Sequence, residues 1–272
     1  MPSLQTTPAP DLADIADFAA RAACDAGKIA LGWFRHPVSI DIKSDLSPVT
    51  EADRAVEADL RARIAASWPD HAILGEEYGA RGAADAPTWV IDPIDGTRSF
   101  ITGWPVWGVL LAFTEAHRPQ VGVIHMPVLG ETWTGIRGGG SWMTGRDGDR
   151  QPCRTSTCRE LARARFYTTS PDYFDAGEQP AYRALDAAAG VPRFGGDCYG
   201  YALLASGHVD LVVETRLQPY DFLALVPVIE EAGGVITDWQ GRPLTLDSGE
   251  QVVAAATPEL HAEALALIAA QG

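Results

Sequence analysis

Two carboxylates in the segment 89–97 (WVIDPIDGT) are placed so that they can share one cation. A short apolar run leads into Asp92, and Asp95 follows after two intervening residues. Pro93 has a fixed φ and no N–H group, so the pattern predicts that a strand ends at Asp92 and that the chain turns there. The two carboxylates and the carbonyl oxygen of Ile94 would then converge on one point. Hard oxygen ligands of this kind suit Mg²⁺.

Gly96 and Thr97, which follow the second carboxylate, add a candidate anion site. If a helix or a tight turn begins at Gly96, the N–H groups of both residues would face an anion such as phosphate. The alternative is a helix-capping turn without a ligand, since Asp and Thr are common at helix N-termini. This segment alone leaves both interpretations open.

Three other acidic segments have ordinary structural explanations when each is taken singly. Glu76 and Glu77 follow a short apolar run, and adjacent glutamates on a surface turn are usually solvated charge. The segment 50–53 (TEAD) matches the capping-box pattern at the start of a helix. Asp221 precedes a largely apolar segment, 222–229, and an acidic residue there is a typical N-terminal cap.

Taken together and in this order, these segments resemble the inositol-monophosphatase-like, Mg²⁺-dependent phosphatases, over residues 43–234. The segments that carry the resemblance are SPVTEAD (47–53), GEE (75–77), WVIDPIDGT (89–97) and YDFLALVPVIEEAGG (220–234). The resemblance implies an enzyme that hydrolyses phosphomonoesters. It also implies an α/β fold, the layered αβαβα sugar-phosphatase arrangement, with a mostly antiparallel N-terminal sheet and a smaller mixed or parallel C-terminal sheet.

The resemblance further implies a site for two to three Mg²⁺ ions. Glu76, Asp92 and the carbonyl oxygen of Ile94 would hold one ion. Asp92, Asp95 and Asp221 would hold a second ion. A third, weaker ion in such enzymes is associated with the glutamate that matches Glu76.

Catalysis in the resembled family depends on an activated water rather than on a protein nucleophile. Thr97 and Asp53 match the pair that orients and deprotonates this water, and Glu76 joins them as a catalytic residue. Gly96 and Thr97 would contact the phosphate. A catalytically silent binder of metal or phosphate is the alternative from another class, and it would not need the Thr97–Asp53 pair.

Three segments resemble the histidinol-phosphate phosphatase branch of the family more than the inositol branch. They are 98–108 (RSFITGWPVWG), 195–201 (GGDCYGY) and 220–227 (YDFLALVP). Histidinol phosphate carries an ammonium and an imidazole, so Asp197 and Glu214 would bind its cationic end by charge-assisted hydrogen bonds. The alternatives are that Asp197 caps the helix containing residues 201–206 and that Glu214 is a solvated strand end.

The function implied is hydrolysis of L-histidinol phosphate to L-histidinol and phosphate, a step of histidine biosynthesis. Inositol 1-phosphate and 3′-phosphoadenosine phosphate are the alternative substrates, because the metal ligands are shared across the superfamily. The family likeness also implies a homodimer. A Ser- and Pro-containing turn with Lys43 and Asp45 makes the loop 43–49 a candidate flap over the site.

Apolar periodicity predicts the elements that must position these residues. An amphipathic helix of about twenty residues ends near Trp33, and a second helix carries Val56, Leu60 and Ile64 on one face. Short apolar runs bounded by Gly, Pro or charge predict strands. These runs cover residues 72–74, 89–91, 109–113 and 121–125.

The Gly-rich stretch 137–150 suits a hairpin tip or the crossing between two halves, and beyond it helices and strands alternate. Helices are predicted at 180–189, 198–206, 221–232 and from Pro258, and strands at 211–214 and 235–238. We therefore expect an N-terminal α+β half over 1–150 with most metal ligands. A C-terminal α/β half over 151–272 would carry Asp221 and the residues that select the substrate.

Composition excludes several other classes of protein. The chain has 272 residues, 36 acidic and 21 basic, and a formal charge of −15. Nucleic acids and anionic membranes are bound through clustered Lys and Arg, so neither is expected as a partner. The sequence has no apolar run long enough to span a bilayer, and residues 1–10 lack the pattern of a secretory signal. Four cysteines outside metal or redox spacing favour reduced thiols in a cytoplasm.

Overall fold

Two β-sheets form the centre of the molecule, and helices lie between them and on both outer sides. The computed structural model describes residues 11–37, 39–42 and 48–271. The predicted flap therefore falls mostly outside the described residues, because only residues 48 and 49 of it are included. Within the described ranges, none of the helices combines the length and the apolar character that crossing a membrane requires.

Eight α-helices are found in the described part of the chain. They are α1 (Leu12–Trp33), α2 (Glu51–Ser67), α3 (Thr97–Ile101), α4 (Gln179–Ala188), α5 (Cys198–Ala205), α6 (Pro219–Phe222), α7 (Leu225–Glu230) and α8 (Pro258–Ala269). Asp11 begins α1 by accepting a hydrogen bond from the N–H of Ala13 (3.0 Å). The same helix buries an alanine-rich face that includes Ile15, Ala19 and Ala26, which lets it pack closely on α2 and on the first sheet.

The first sheet has eight strands, and it is antiparallel except for one pair. Its strands are β3 (Ala72–Gly75), β4 (Gly79–Arg81), β5 (Thr88–Asp95), β6 (Gly108–Glu115), β7 (Arg118–Met126), β8 (Glu131–Ile136), β9 (Gly140–Thr144) and β10 (Arg150–Pro152). They lie in the order β10-β9-β8-β7-β6-β5-β3-β4, and only β3 and β5 are parallel neighbours. A separate antiparallel pair, β1 (Ile40–Ile42) and β2 (Pro48–Thr50), precedes α2.

The second sheet is smaller and mixed. Its strands are β11 (Arg165–Thr168), β12 (Val191–Phe194), β13 (Leu211–Glu214), β14 (Val235–Thr237) and β15 (Val252–Ala255), in the order β12-β11-β13-β15-β14. Strand β11 is parallel to both of its neighbours, and the other pairs are antiparallel. The predicted fold class, a mostly antiparallel large sheet and a smaller mixed sheet in an α/β arrangement, is confirmed.

The layers are joined by continuous apolar packing. One cluster of buried side chains includes Leu110 and Ile124 of the first sheet, Phe222 and Ile229 of α6 and α7, and Val212 of the second sheet. A second cluster lies beneath α1 and α2, and a third joins α4 and α8 to the outer face of the second sheet. The layer order is thus helices, sheet, helices, sheet, helices.

The expectation that a strand ends at Asp92 was wrong. Strand β5 continues through Pro93 to Asp95, and its pairing with β6 shifts register between Asp92 and Asp95. A bulge tolerates proline because the local ladder is already interrupted there. The two aspartates therefore stay on the strand, and the bulge, not the end of the strand, changes the direction of their side chains.

The single helix expected over 221–232 was also wrong, because α6 and α7 are separate short helices. Pro227 lacks the N–H group that a continuous helix would need to bond the carbonyl of Leu223.

The Gly-rich stretch 137–150 is not a simple hairpin tip. It contains β9 between two tight turns, and Glu231 holds the first turn by accepting from the N–H groups of Gly138 (2.7 Å) and Gly140 (2.9 Å).

Candidate active site

A cavity of about 670 Å³ is lined by residues from two stretches of the chain, 76–98 and 168–250. The predicted site residues that line it are Glu76, Asp95, Gly96, Thr97, Asp197, Glu214 and Asp221. Asp92 lies behind this surface with 1% of its area exposed.

Three carboxylates converge at the inner end of the cavity. Asp92, Asp95 and Asp221 each offer an oxygen atom within 4.8 Å of the other two. Burial, reinforced by the nearby charge of Glu76, holds the pKa of Asp92 well above its ordinary range. Burial and the charge of Asp197 do the same to the pKa of Asp95. Crowded, desolvated carboxylates are stable as anions only when a cation neutralises them, so this oxygen-only set fits a divalent hard cation.

A backbone N–H group orients each of the three carboxylates. Asp92 accepts from the N–H of Ile94 (3.0 Å), within the bulge of β5. Asp95 accepts from the N–H of Cys198 (2.6 Å), at the first residue of α5. Asp221 accepts from the N–H of Gln218 (2.6 Å), in a capping box at the start of α6.

Asp53 and Thr97 are brought together beside this cluster. The hydroxyl oxygen of Thr97 lies 3.3 Å from Oδ1 of Asp53 and 3.1 Å from the carbonyl oxygen of Ile94. The other oxygen of Asp53 accepts from the N–H and the hydroxyl of Thr50, which completes the capping box of α2. Asp53 therefore caps a helix and contacts Thr97 at the same time.

Gly96 and Glu76 flank the three carboxylates. Gly96 has φ +84° and stands at the N-cap of α3, so that the short helix begins at Thr97. Glu76 lies in the turn between β3 and β4, where its N–H donates to the carbonyl of Ile91 (3.2 Å). It lines the cavity, and its charge acts on Asp92, although it is not one of the three residues with converging oxygens. Its role as a ligand stays a prediction.

Asp197 is not a helix cap. It occupies the N-cap position of α5, yet within the described structure its side chain makes no capping hydrogen bond. Its backbone has φ +46°, after Gly195 and Gly196 with φ +85° and +116°. Its side chain is partly buried and its carboxylate accepts from the hydroxyl of Ser99 (2.9 Å), and loss of contact with water raises its pKa to about 6. A backbone conformation that favours glycine is costly for aspartate, by about 1–3 kcal/mol, and such costs are concentrated at functional sites.

Glu214 is not a solvated strand end either. Only 6% of its area is exposed, at the last residue of β13. One carboxylate oxygen accepts from the N–H of Thr169 (2.7 Å) and the other from the hydroxyl of Tyr201 (2.9 Å). Burial raises the pKa of Glu214 to about 7. The cavity thus has a second acidic region, formed by Asp197 and Glu214.

Tyr173 and Arg98 also lie in the cavity wall, and neither was predicted to be a site residue. The guanidinium carbon of Arg98 lies 6.0 Å from the centre of the Tyr173 ring, and both line the cavity. Tyr173 ends a single 3₁₀ turn, Pro171–Tyr173, in a stretch without apolar periodicity. Nothing local in the sequence distinguishes this tyrosine from others in surface turns.

Comparison with known proteins agrees with this geometry. The model of the inositol monophosphatase family matches residues 11–271. The chain is 44% identical over 249 residues to the "Bifunctional phosphatase IMPL2, chloroplastic" of Arabidopsis thaliana, covering 88% of this chain and 70% of that protein. It is 39% identical over 232 residues to a histidinol-phosphatase of Chlorobaculum parvum, covering 85% of this chain and 87% of that protein.

A solved structure of similar architecture is that of an inositol monophosphatase from Zymomonas mobilis. It superposes with a TM-score of 0.86 at 39% identity, and the match covers 96% of this chain and all of that one. Proteins at 39% identity to this chain thus carry names from both the histidinol and the inositol branches.

Proposed function

The chain belongs to the inositol monophosphatase family, and we propose that it is a Mg²⁺-dependent histidinol-phosphatase. The reaction would convert L-histidinol phosphate and water into L-histidinol and phosphate. One observation carries the proposal: the cavity has a cluster of carboxylates suited to a metal, and two further carboxylates, the partly buried Asp197 and the buried Glu214, line the same cavity. A substrate with a phosphate at one end and a cation at the other matches both acidic regions.

The first acidic region would hold the metal and the phosphate. Glu76, Asp92, Asp95, Asp221 and the carbonyl oxygen of Ile94 are the proposed ligands of two to three Mg²⁺ ions. Bound Mg²⁺ supplies charge neutralisation of the phosphate and a lower pKa for the attacking water.

Thr97 and Asp53 are proposed to move the proton from that water. The Thr97 hydroxyl can accept a hydrogen bond from water and donate its own proton toward Oδ1 of Asp53, 3.3 Å away. A proton that leaves the water can then pass through the hydroxyl to the carboxylate. The capping box fixes the other oxygen of Asp53, so its position is set before substrate binds. The N–H groups of Gly96 and Thr97 are the proposed contacts to the phosphate.

The second acidic region would select the substrate. Glu214 is buried and Asp197 is partly buried, and charge-assisted hydrogen bonds are stronger where water is excluded. An ammonium or imidazolium group fits such a region, whereas the uncharged hydroxyls of inositol gain less from it. This difference is the basis for preferring histidinol phosphate over inositol 1-phosphate.

A side-by-side assay tests the proposal. Phosphate release would be measured in Mg²⁺ from histidinol phosphate, inositol 1-phosphate and 3′-phosphoadenosine phosphate. We expect the highest kcat/KM on histidinol phosphate and loss of activity with a chelator. A clear preference for either of the other two substrates would assign the protein to that activity instead, and no turnover of any of them would favour a silent binder.

We also propose that the protein acts as a homodimer in the cytoplasm. Three exposed apolar side chains support the dimer, namely Val191, Phe194 and Trp104, exposed by 57%, 46% and 43%. Val191 and Phe194 lie on β12, an edge strand of the second sheet, and the Trp104 ring lies over Gly195 beside them. Exposed apolar side chains along an unpaired sheet edge are typical of a surface that is covered by another chain.

A further inference from the structure

We propose that Glu57, a buried carboxylate of α2, is a positioning residue that holds Glu76 at the metal site. The inference rests on the proposed function, because it takes Glu76 to be a metal ligand. Glu57 does not line the cavity and belongs to no motif of the sequence analysis. Its side chain is fully buried, which is unusual for a glutamate on a helix that faces solvent along one side.

The carboxylate of Glu57 binds the turn that carries Glu76. One oxygen accepts from the N–H of Glu77 (2.6 Å), and the other accepts from the N–H of Tyr78 (3.2 Å). These are the two residues directly after Glu76. A carboxylate that bonds two successive N–H groups fixes both the position and the orientation of the peptide planes between them.

Arg61, one helical turn further along α2, completes the connection. Its Nε donates to Glu57 (2.7 Å), and the side chains of Arg61 and Glu57 are 14% and 0% exposed. Its Nη2 also donates to the carbonyl of Gly79, at the start of β4. The pair Glu57–Arg61 thus holds the turn from Glu77 to Gly79 against α2.

Gly75, the residue before Glu76, is required by the same contact. A Cβ atom at this position would lie 2.0 Å from a carboxylate oxygen of Glu57, which is far inside contact distance. The glycine of the GEE segment therefore makes room for Glu57. Because the N–H of Glu76 bonds the carbonyl of Ile91 on β5, the backbone of Glu76 is held from both sides.

This arrangement suggests a role beyond stability. A buried ion pair is seldom more stabilising than apolar residues of the same size, so its retention needs another reason. Here the pair fixes a turn that presents a carboxylate to the cavity. Groups that orient metal ligands typically contribute about 10–100-fold to metal affinity.

The test is Mg²⁺ binding by E57Q, measured by calorimetry on the substrate-free protein. The amide can accept at one oxygen only and presents an NH₂ group to the remaining donors, so we expect Mg²⁺ affinity to fall about 10–100-fold. In steady-state assays, the Mg²⁺ concentration for half-maximal activity should rise by a similar factor while kcat at saturating Mg²⁺ changes much less.

Asp238→Asn is the matched control. Asp238 is also a buried carboxylate that accepts from two backbone N–H groups, those of Gln240 and Arg242, and from the Nε of an arginine four residues later. It does not line the site cavity. D238N should lower the melting temperature as E57Q does, with wild-type Mg²⁺ affinity.

The Mg²⁺ affinities of these variants and of the wild type separate the possibilities. Wild-type Mg²⁺ affinity in E57Q, or an equal loss in D238N, would overturn the positioning role. If E57Q does not fold, E57D is measured instead, since it keeps the buried charge but withdraws the carboxylate by one methylene. E57D with weakened Mg²⁺ binding would support the proposal, and E57D with unchanged binding would overturn it. Absence of Mg²⁺ binding in the wild-type protein would instead contradict the proposed function.

Discussion

At the scale of single residues, two carboxylates of the site also cap the N-termini of helices. Asp53 completes the capping box of α2 with one oxygen and contacts Thr97 with the other. Asp221 likewise accepts from the N–H of Gln218 at the start of α6 and offers an oxygen to the acidic cluster. A carboxylate has two oxygens, so a capping role does not exclude a catalytic one. The cap even favours catalysis, because it fixes the side chain before any ligand binds.

Replacing Thr97 with valine tests the proton path. Valine keeps the shape of threonine but removes the hydroxyl, so we expect kcat to fall at least about 100-fold. Mg²⁺ affinity measured by calorimetry should stay near the wild-type value. Thr102→Val is the control, because the Thr102 hydroxyl donates to the carbonyl of Arg98 at the end of the same helix and does not line the cavity. Unchanged turnover in T97V would exclude the pair as the route for the proton.

Replacing Asp197 with asparagine tests the cationic subsite. The change removes a partly buried negative charge but keeps a group that can accept from Ser99, so the local fold should persist. We expect kcat/KM for histidinol phosphate to fall about 10–100-fold, in line with a charge-assisted hydrogen bond of about 1.5–3 kcal/mol. For glycerol 2-phosphate, which has no cationic group, the change should be small. Equal losses on the two substrates would rule out recognition of the positive charge.

Because His125 is buried, we expect the protein to lose stability in acid. Burial lowers the pKa of His125 to about 4, and its Nδ1 lies 2.9 Å from the hydroxyl of Thr132. An unfolded histidine has a pKa near 6.5, so between these values the unfolded chain binds a proton that the folded protein does not. The free energy of unfolding should therefore decrease as pH falls below about 6.5, with a loss of about 2 kcal/mol at pH 5.

Urea unfolding of wild type and His125→Gln at about pH 7.5 and pH 5 measures this contribution. Glutamine can bond Thr132 but does not titrate. The unfolding free energy of the variant should therefore fall less than that of the wild type over the same pH interval. Comparing the two slopes removes the effect of the other acidic groups, which are common to both proteins. Parallel slopes would mean that His125 is protonated as easily in the folded state as in the unfolded one.

At the scale of elements, the position of Asp221 depends on how closely α6 and α7 approach the first sheet. A Cβ atom at Gly122 on β7 would lie 2.0 Å from the carbonyl oxygen of Ala224, between the two helices. A Cβ atom at Gly135 on β8 would lie 2.3 Å from the backbone of Pro227. Two glycines on neighbouring strands thus form the surface on which these helices rest.

Gly122→Ala should therefore displace the segment that follows Asp221. Overpacking of a close contact typically costs about 1–3 kcal/mol, and we expect a loss of that size in unfolding free energy. Mg²⁺ affinity should fall as well, because Asp221 moves with α6. The control is Gly32→Ala in the last turn of α1, where an added Cβ meets nothing and alanine favours the helix. Full stability in G122A would show that the helices can shift without cost.

The elements that sequence analysis predicted well are those with a strong local pattern. Helices α1, α2 and α4 and strand β13 lie close to their predicted positions, because their apolar spacing and their flanking residues agree. Strand β12 (VPRF) was missed, since all four of its side chains are exposed and it contains a proline. The path through Pro93 was wrong because a bulge depends on the partner strand, which the local sequence does not show.

At the scale of the whole molecule, the site residues come from distant parts of the chain. Asp92 and Asp95 lie on β5 of the first sheet, Asp221 on α6, Asp197 directly before α5, and Glu214 at the end of β13 in the second sheet. The order of the acidic motifs predicted that Asp92, Asp95 and Asp221 lie together, and their oxygens do converge. Asp197 and Glu214 were predicted separately, from the resemblance to the histidinol-phosphate phosphatase branch and the positive charge of its substrate. The contact of Glu57 with the turn after Glu76 was not predicted, because a glutamate on a helix has no local mark of burial.

The net charge of −15 has different effects at long range and within the site. A protein with this charge repels a phosphate dianion at long range, which makes it a poor phosphate binder without a counterion. In the proposed function, the carboxylates of the cavity reverse this effect locally by binding Mg²⁺. The same excess of acid then favours the positive end of the proposed substrate.

The charge also bears on assembly, because two copies of charge −15 repel each other unless an apolar contact outweighs the repulsion. The exposed residues Val191, Phe194 and Trp104 are the surface on which we expect that contact. Phe194→Glu would place a further negative charge on the edge strand of each copy. By light scattering after size exclusion, we expect twice the chain mass of 29.1 kDa for the wild type and a single chain mass for F194E.

Leu31→Glu is the control for this experiment, because Leu31 is also an exposed apolar residue, 38% exposed on α1, and lies outside the proposed contact. It should keep the wild-type mass. A monomeric wild type would contradict the dimer, and a dimeric F194E would place the interface elsewhere.

The proposed dimer contact also bears on substrate binding. Strand β12 is an edge strand that leads directly into Gly195, Gly196 and Asp197, so covering it would restrain the segment that presents Asp197 to the cavity. F194E should therefore raise the KM for histidinol phosphate more than it lowers kcat.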